Sequence, residues 1–222
     1  MISEIKLAEM LCTRLCHDLT GPIGAVNNGA EFLNEEGFDM QNEAMQLVLS
    51  SAHEAVYRLQ FYRQAYGRVN DHGEASLSEK RTLAQDFFSA TKLKLDWPDS
   101  HADASGVSVS QKMSRLMLNL LIVMAGALIR GGTIAVRVSE TPESREFTLE
   151  GNGETVKFDP ETLSVLRGDA DPSLLTPKTC QAFLTAKLAG ELDASLDFTI
   201  DTGHLKIAVR QPVVVAQLLA NQ

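Results

Sequence analysis

A histidine stands beside a carboxylate in the segment Leu15-Cys16-His17-Asp18-Leu19-Thr20-Gly21-Pro22-Ile23. Imidazole titrates near neutral pH and its unprotonated nitrogen is a nucleophile, so His17 is a candidate acceptor of a transferred group. Asp18 could handle the proton during such a transfer. On a helix, however, consecutive side chains lie about 100° apart, so the two side chains are not expected to face each other.

The histidine falls within an amphipathic helix. Apolar residues recur at three- and four-residue steps, which places one stripe on one face of the helix: Leu7, Leu11, Leu15, Leu19, Ile23, Val26, Ala30 and Leu33. His17 lies roughly opposite the centre of this stripe and is predicted to face solvent. Pro22 has no N–H for the carbonyl of Asp18, so the helix is expected to be kinked or loosened after the histidine.

Small and polar residues surround His17 on the predicted exposed face. Two glycines cost helix stability, but they leave a low surface from which another molecule can approach the imidazole. Arg14 is a candidate catalytic residue on this face, and five others form the candidate partner-binding set: Thr13, Thr20, Gly21, Gly24 and Asn28. The alternative is an exposed histidine on an ordinary surface helix.

The composition is that of a globular chain. Its 222 residues are 44% hydrophobic and 22% charged, enough for two small domains. The formal charge is −9 and there is no basic run, so direct nucleic-acid binding is disfavoured. A partner with local positive charge, or a small interface dominated by shape, fits this balance better.

Targeting segments and metal sites are not evident in the sequence. No apolar run is long enough for a membrane and the amino terminus lacks a secretory pattern, so the protein is expected to be cytoplasmic, without membrane contact. Cys12, Cys16 and Cys180 are an odd number and are predicted to be free, buried thiols. No metal site is predicted, because His17 points away from Cys12 and no fourth ligand is evident.

A second periodic segment follows the polar, glycine-containing stretch 34–39. Arg58 and Arg63 of this second segment are interpreted as solvated charges, the alternative being that they help to dock a partner near His17. Two helices joined by a short turn form an antiparallel hairpin, which is too small to bury both apolar stripes. Pairing of two copies into a four-helix bundle is therefore predicted, the alternative being that both stripes pack on the rest of the chain. The apolar positions of the second helix are Met45, Val48, Ala52, Ala55, Val56, Leu59, Tyr62 and Tyr66.

Beyond a predicted linker at 68–76 the pattern alternates between strands and helices. Helices on one face of a mixed or antiparallel sheet predict a two-layer α+β domain. The chain is thus divided into a helical hairpin at 1–70 and an α/β sandwich at 76–222. The predicted elements of the second part are helices near 77–91, 110–130, 160–168 and 177–190, and strands at 93–98, 133–140, 145–151 and 197–210, the last turning as a hairpin at Asp201-Thr202-Gly203.

The segment around His17 resembles the H-box of dimeric sensor histidine kinases, in which the histidine carries a phosphoryl group. The Cys-His-Asp-Leu run with its Gly-Pro, and the Asn-Asn-Gly-Ala-Glu-Phe-Leu at 27–33, look more closely like the ChpT-type histidine phosphotransferases of alphaproteobacterial phosphorelays.

The second part resembles the ATP-binding domain of histidine kinases with its site residues replaced. The run 115–121 is similar to the start of the kinase N-box, but Val123 replaces the asparagine that would coordinate magnesium, and Asn119 is interpreted as a polar residue at the domain surface. Leu149 stands where the aspartate of the Asp-x-Gly-x-Gly box would read adenine. The segment 177–190 lacks a glycine loop for phosphates.

The resemblance implies a homodimeric phosphorelay intermediate that binds no cofactor of its own. His17 would take a phosphoryl group from the receiver aspartate of a hybrid histidine kinase and pass it to response regulators. Asp18 would assist proton transfer, Arg14 would steady the phosphoryl group, and the receiver would supply Mg²⁺. The alternatives are an active histidine kinase and a non-catalytic dimeric adaptor that binds receiver domains.

Overall fold

The computed structural model describes residues 4–34, 40–68, 73–98, 109–141, 144–171 and 175–212. It begins with two long helices, α1 (Glu4–Asn34) and α2 (Gln41–Tyr66), which pack antiparallel along their length. This confirms the predicted hairpin, whose turn at 35–39 lies outside the described residues. Helix α1 continues through Pro22, whose ring is buried.

The two helices approach each other closely at Gly29. A Cβ atom at this position would lie 2.7 Å from Cγ2 of Val48 and 3.2 Å from the carbonyl oxygen of Ala44. The hydrogen of glycine therefore permits the contact between the backbones of α1 and α2. By contrast, no described atom lies within 4 Å of a Cβ built at Gly24.

We expect Gly29→Ala to lower the free energy of unfolding by about 1 kcal/mol or more, because the added methyl group overpacks this contact. Gly24→Ala is the matched control, since alanine favours a helix over glycine by about 0.5–1 kcal/mol and meets no neighbour there. Urea unfolding followed by circular dichroism measures both variants. A stabilisation of Gly29→Ala equal to that of Gly24→Ala would contradict the packing described.

A mixed sheet with helices follows the hairpin. The order along the chain is β1 (Glu74–Ala75), α3 (Leu77–Ser89), β2 (Leu93–Asp96), β3 (Val109–Ser110), α4 (Gln111–Ala127), β4 (Gly132–Glu140), β5 (Ser144–Asn152), α5 (Pro160–Arg167), α6 (Cys180–Gly190), β6 (Ser195–Asp201) and β7 (His204–Pro212). Five strands form a sheet in the order β2-β4-β5-β7-β6. Strand β2 runs parallel to β4, and the other neighbours are antiparallel.

The sheet has one covered and one polar face. Helices α4 and α6 pack on it, and Met124 of α4 and Leu128, which directly follows α4, lie over Gly151 of β5. On the opposite face, Glu150 and Lys206 are register partners whose side chains pair at 3.0 Å. These two layers confirm the predicted α+β class. We call residues 73–212, that is, the sheet together with the helices that follow the hairpin, the C-terminal layer.

Two features of this layer differ from the sequence prediction. The predicted linker contains strand β1, which pairs with β3, and Ser76, whose hydroxyl accepts the backbone N–H of Glu79 as the N-cap of α3. Such short pairing carries no alternation that a sequence pattern could reveal. Among the described residues, no helix has the length and apolar character needed to cross a membrane.

Candidate functional site

His17 projects from the middle of α1 into solvent. Its side chain is 88% exposed, whereas Met10, Pro22 and Gly29 of the same helix are buried. The prediction that His17 faces solvent is thus confirmed. The covered face is not the predicted stripe, however, because none of these three buried residues belongs to it and Ile23 of the stripe is 56% exposed. A nucleophile displayed in this way is accessible to a macromolecular partner.

The carboxylate of Asp18 turns towards His17. Its Oδ1 lies 3.2 Å from Nδ1 of His17, so the prediction that the two side chains do not face each other was wrong. The reason lies on α2, where the hydroxyl of Tyr62 donates to Oδ2 of Asp18 at 2.7 Å and fixes the rotamer. An ionised carboxylate only accepts, so this contact pairs it with the Nδ1–H tautomer of a neutral imidazole, in which Nε2 holds the free lone pair.

Tyr62 is a donor throughout the ordinary pH range. Burial first, and then its hydrogen bond to Asp18, raises the pKa of the Tyr62 hydroxyl far above its usual value. The hydroxyl therefore stays protonated, as its role towards the carboxylate requires.

Arg58 binds the backbone that Pro22 leaves unsatisfied. Because proline has no N–H, the carbonyl of Asp18 loses its partner four residues on. Nη1 of Arg58 donates to that carbonyl at 3.3 Å, while Glu54, one turn earlier on α2, pairs with Nη2 of Arg58 at 2.7 Å. The interpretation of Arg58 as a solvated charge was therefore wrong, because α2 brings it against the interruption in α1. Arg63 is exposed.

Arg14 lies on the side of α1 that faces the C-terminal layer. Its side chain is half-buried, and its Nε lies 3.8 Å from Oδ2 of Asp18. It borders a cavity of about 180 Å³ that Lys157 and Lys178 also line. The structure thus places Arg14 beneath Asp18 rather than next to the exposed imidazole.

The five residues predicted to bind a partner lie on the surface around His17. Thr13, Thr20, Gly21 and Asn28 are exposed, and Gly24 is half-buried. The hydroxyls of the two threonines donate to carbonyls one turn earlier, at 2.9 and 2.7 Å. No described atom lies near a Cβ built on either glycine. At the two glycines, this face of α1 is therefore unobstructed by side chains.

The cysteines lie differently from the prediction. Cys12 and Cys16 are free but exposed, so the prediction that they are buried was wrong, whereas Cys180 is free and buried as predicted. Among the described residues, no three His, Cys, Asp or Glu side chains converge as a metal site would require.

Comparison with known proteins decides the family. Residues 77–203, more than half of the chain, match the histidine phosphotransferase C-terminal domain. The chain belongs to the histidine phosphotransferase family. It is 32% identical to protein phosphotransferase ChpT of Brucella abortus (strain 2308) over 191 residues, which cover 86% of this chain and 88% of that protein. A solved structure of a bacterial phosphotransferase is 30% identical, has a TM-score of 0.80, and covers 94% of this chain and 98% of that one.

These matches confirm the resemblance to ChpT-type proteins, and the chain is a histidine phosphotransferase of a phosphorelay. In this histidine phosphotransferase, the residues at the positions of the kinase nucleotide site have structural roles in the fold. Leu149 and Val123 are buried in the core. Asn119 is fully buried and donates to the carbonyl of Ala65 at 2.8 Å, so its interpretation as a surface residue was wrong.

Sequence reasoning missed the roles of Tyr62 and Arg58 at the site of this phosphotransferase. Tyr62 was assigned to the apolar stripe of α2, where its ring does pack against Phe87. An available indication was the tyrosine itself, because a buried hydroxyl needs a partner. The identity of that partner depends on the register of α1 against α2, which sequence periodicity does not determine.

Proposed function

We propose that His17 is the phosphoacceptor of this phosphotransferase. The observation that carries the proposal is an imidazole that is 88% exposed while its Nδ1 is engaged by Asp18. A lone pair at Nε2 is thereby directed outward, above the open surface of Gly21 and Gly24. Proximity and orientation supply much of the rate in such a transfer.

The partner in each transfer is a receiver domain whose aspartate carries or accepts the phosphoryl group. In the forward step Nε2 attacks the phosphorus in line. The N–P bond forms as the P–O bond to the receiver aspartate breaks, and the electron pair leaves with that carboxylate. The proton stays on Nδ1, where the charge of Asp18 stabilises the cationic ring. Transfer to a response regulator reverses these steps.

Mg²⁺ and a lysine of the receiver stabilise the transferring phosphoryl group, and this chain binds no nucleotide. The buried apolar side chains of Leu149 and Val123 support this second point. So does Asn119, whose amide is committed to protein partners on both its nitrogen and its oxygen. Arg14 contributes to the transfer through its ion pair with Asp18 and does not contact the phosphoryl group. Its half-buried position supports this role.

The protein forms a homodimer through the hairpin. Along α2, large apolar side chains recur at steps of four, seven and three residues and remain exposed, at 46% for Met45, 46% for Leu49, 47% for Val56 and 53% for Leu59. Ile23 and Phe32 of α1 are exposed as well. This is the heptad spacing of a helical bundle seam, which a second hairpin would cover.

One labelling experiment tests the function. The protein is incubated with γ-labelled ATP alone, and then with a hybrid histidine kinase and its receiver. We expect acid-labile label on this chain only when the kinase is present. Label acquired from ATP alone would show that the chain is itself a kinase. Binding of an unphosphorylated and a phosphorylated receiver without any transfer of label would instead show an adaptor.

A further inference from the structure

The last turn of α2 is joined to the C-terminal layer by buried polar contacts. The final carbonyls of a helix have no partner within the helix. Here Nδ2 of Asn119 and Nε of Arg115 donate to the carbonyl of Ala65 at 2.8 and 3.0 Å, and Nη2 of Arg115 donates to that of Tyr66 at 3.0 Å. Helix α4 thereby fixes the end of α2.

Gln181 of α6 extends this network to a side chain of α2. It is almost fully buried, and its Nε2 donates to Oδ1 of Asn119 at 2.7 Å. Its Oε1 accepts the hydroxyl of Tyr66 at 2.6 Å. Burial raises the pKa of that hydroxyl far above its usual value, so Tyr66 remains the donor. Both amides therefore have one orientation that satisfies every partner.

Tyr66 in turn determines the position of Tyr62, one helical turn earlier. The two rings are stacked, with centroids 5.2 Å apart and planes 9° apart, and Tyr62 also makes a T-shaped contact with Phe87 at a centroid distance of 5.9 Å. A buried ring held by two aromatic contacts has little freedom to move, so its hydroxyl is held in place. That hydroxyl is the one that donates to Asp18.

We propose that Gln181 and Asn119 are positioning residues for the phosphoacceptor. Through Tyr66 and Tyr62 they hold Asp18 against Nδ1 of His17, so that Nε2 is the nitrogen presented to the receiver. This gives the C-terminal layer a role in the transfer itself. The inference rests on His17 being the phosphoacceptor, as proposed above.

The test compares Tyr66→Phe and Gln181→Leu with the parent in the full-length protein. Long-range ¹H–¹⁵N spectra of His17, taken where its imidazole is neutral, report the two tautomers without any phosphotransfer. We expect both variants to lose the excess of the Nδ1–H form. We also expect kcat for transfer from the receiver to fall about tenfold while KM changes little, because orientation is lost and docking is not. The parent tautomer ratio retained in Tyr66→Phe would overturn the proposal.

Two further variants separate positioning from general damage. Lys80→Met removes another, partly buried link between α2 and the C-terminal layer, the bond from Nζ of Lys80 to Oε1 of Gln64 at 2.7 Å, and should leave the tautomer ratio of His17 unchanged. If Lys80→Met shifted the ratio as much as Gln181→Leu, the proposal would be overturned. Tyr62→Phe should have at least the effect of Tyr66→Phe, and the double variant should be no worse than Tyr62→Phe.

The failures of the two proposals give different results. If His17 in the parent protein accepts no label from a phosphorylated receiver, the proposed function is wrong, whatever the spectra show. If the parent accepts label and its tautomer ratio does not respond to Tyr66→Phe, only the positioning role of Gln181 and Asn119 is wrong.

Discussion

Replacing His17 with alanine should abolish phosphoryl transfer. We expect the acid-labile label acquired from a hybrid kinase to fall by a factor of at least about 10³, because the reaction loses its nucleophile. The side chain is 88% exposed and its removal leaves no cavity, so the fold should be unaffected. Labelling followed by treatment with acid or alkali measures the effect, since a phosphoramidate is labile to acid and an acyl phosphate to both.

His204→Ala is the matched control for this experiment. His204 lies at the start of β7, far along the chain from α1, and its contact with Asp201 at 4.0 Å is confined to the turn between two strands. It should accept the parent amount of label. Undiminished label on the His17→Ala variant would place the phosphoacceptor elsewhere and refute the proposed site.

The direction of His17 followed from the sequence, but the arrangement of its neighbours did not. An apolar stripe indicates approximately which side of a helix is covered, and this was enough to predict the exposed imidazole. The rotamer of Asp18 instead depends on Tyr62, 44 positions along the chain. Only the register of the hairpin brings these two residues together, and its turn lies in a stretch whose composition does not specify a register.

The sequence also could not show that Arg58 and Asn119 bind distant parts of the chain. Both are polar residues on helices, and polar residues on helices are usually solvated. Each instead donates to a backbone carbonyl that has no N–H partner within its own helix. Arg58 donates to the carbonyl of Asp18, which Pro22 leaves free, and Asn119 donates to that of Ala65 in the last turn of α2. Sequence patterns identify such unsatisfied carbonyls. They do not show which distant side chain will reach them.

The elements of the C-terminal layer were predicted more completely, because strong local features delimit them. Gly131 and Gly132 adopt positive φ values after α4, and Gly203 does so in the turn before β7. A positive φ favours glycine, so these positions mark element ends that a sequence can reveal. Strands β1 and β3 have two residues each and offer no comparable indication.

A charge in the exposed seam of α2 should separate the proposed dimer. In a two-fold interface each substitution occurs twice. Leu49→Glu therefore makes the free energy of dimerisation less favourable by about 1.5–3 kcal/mol in each subunit, because a buried leucine side chain is lost from the interface. The combined loss raises the dissociation constant by a factor of about 100 or more. Sedimentation equilibrium over a range of protein concentrations measures the change.

Ile129→Glu provides the matched control, because Ile129 is 63% exposed but lies beyond the end of α4, away from the hairpin. It carries the same change of charge and should sediment as the parent does. A monomeric parent, or equal weakening by both substitutions, would contradict the seam. Leu49 lies more than three turns before Tyr62 on α2, and Tyr62, Arg58 and Asp18 belong to a single hairpin. The parent tautomer ratio at His17 should therefore survive in the Leu49→Glu monomer, which would show that each subunit orients its own phosphoacceptor.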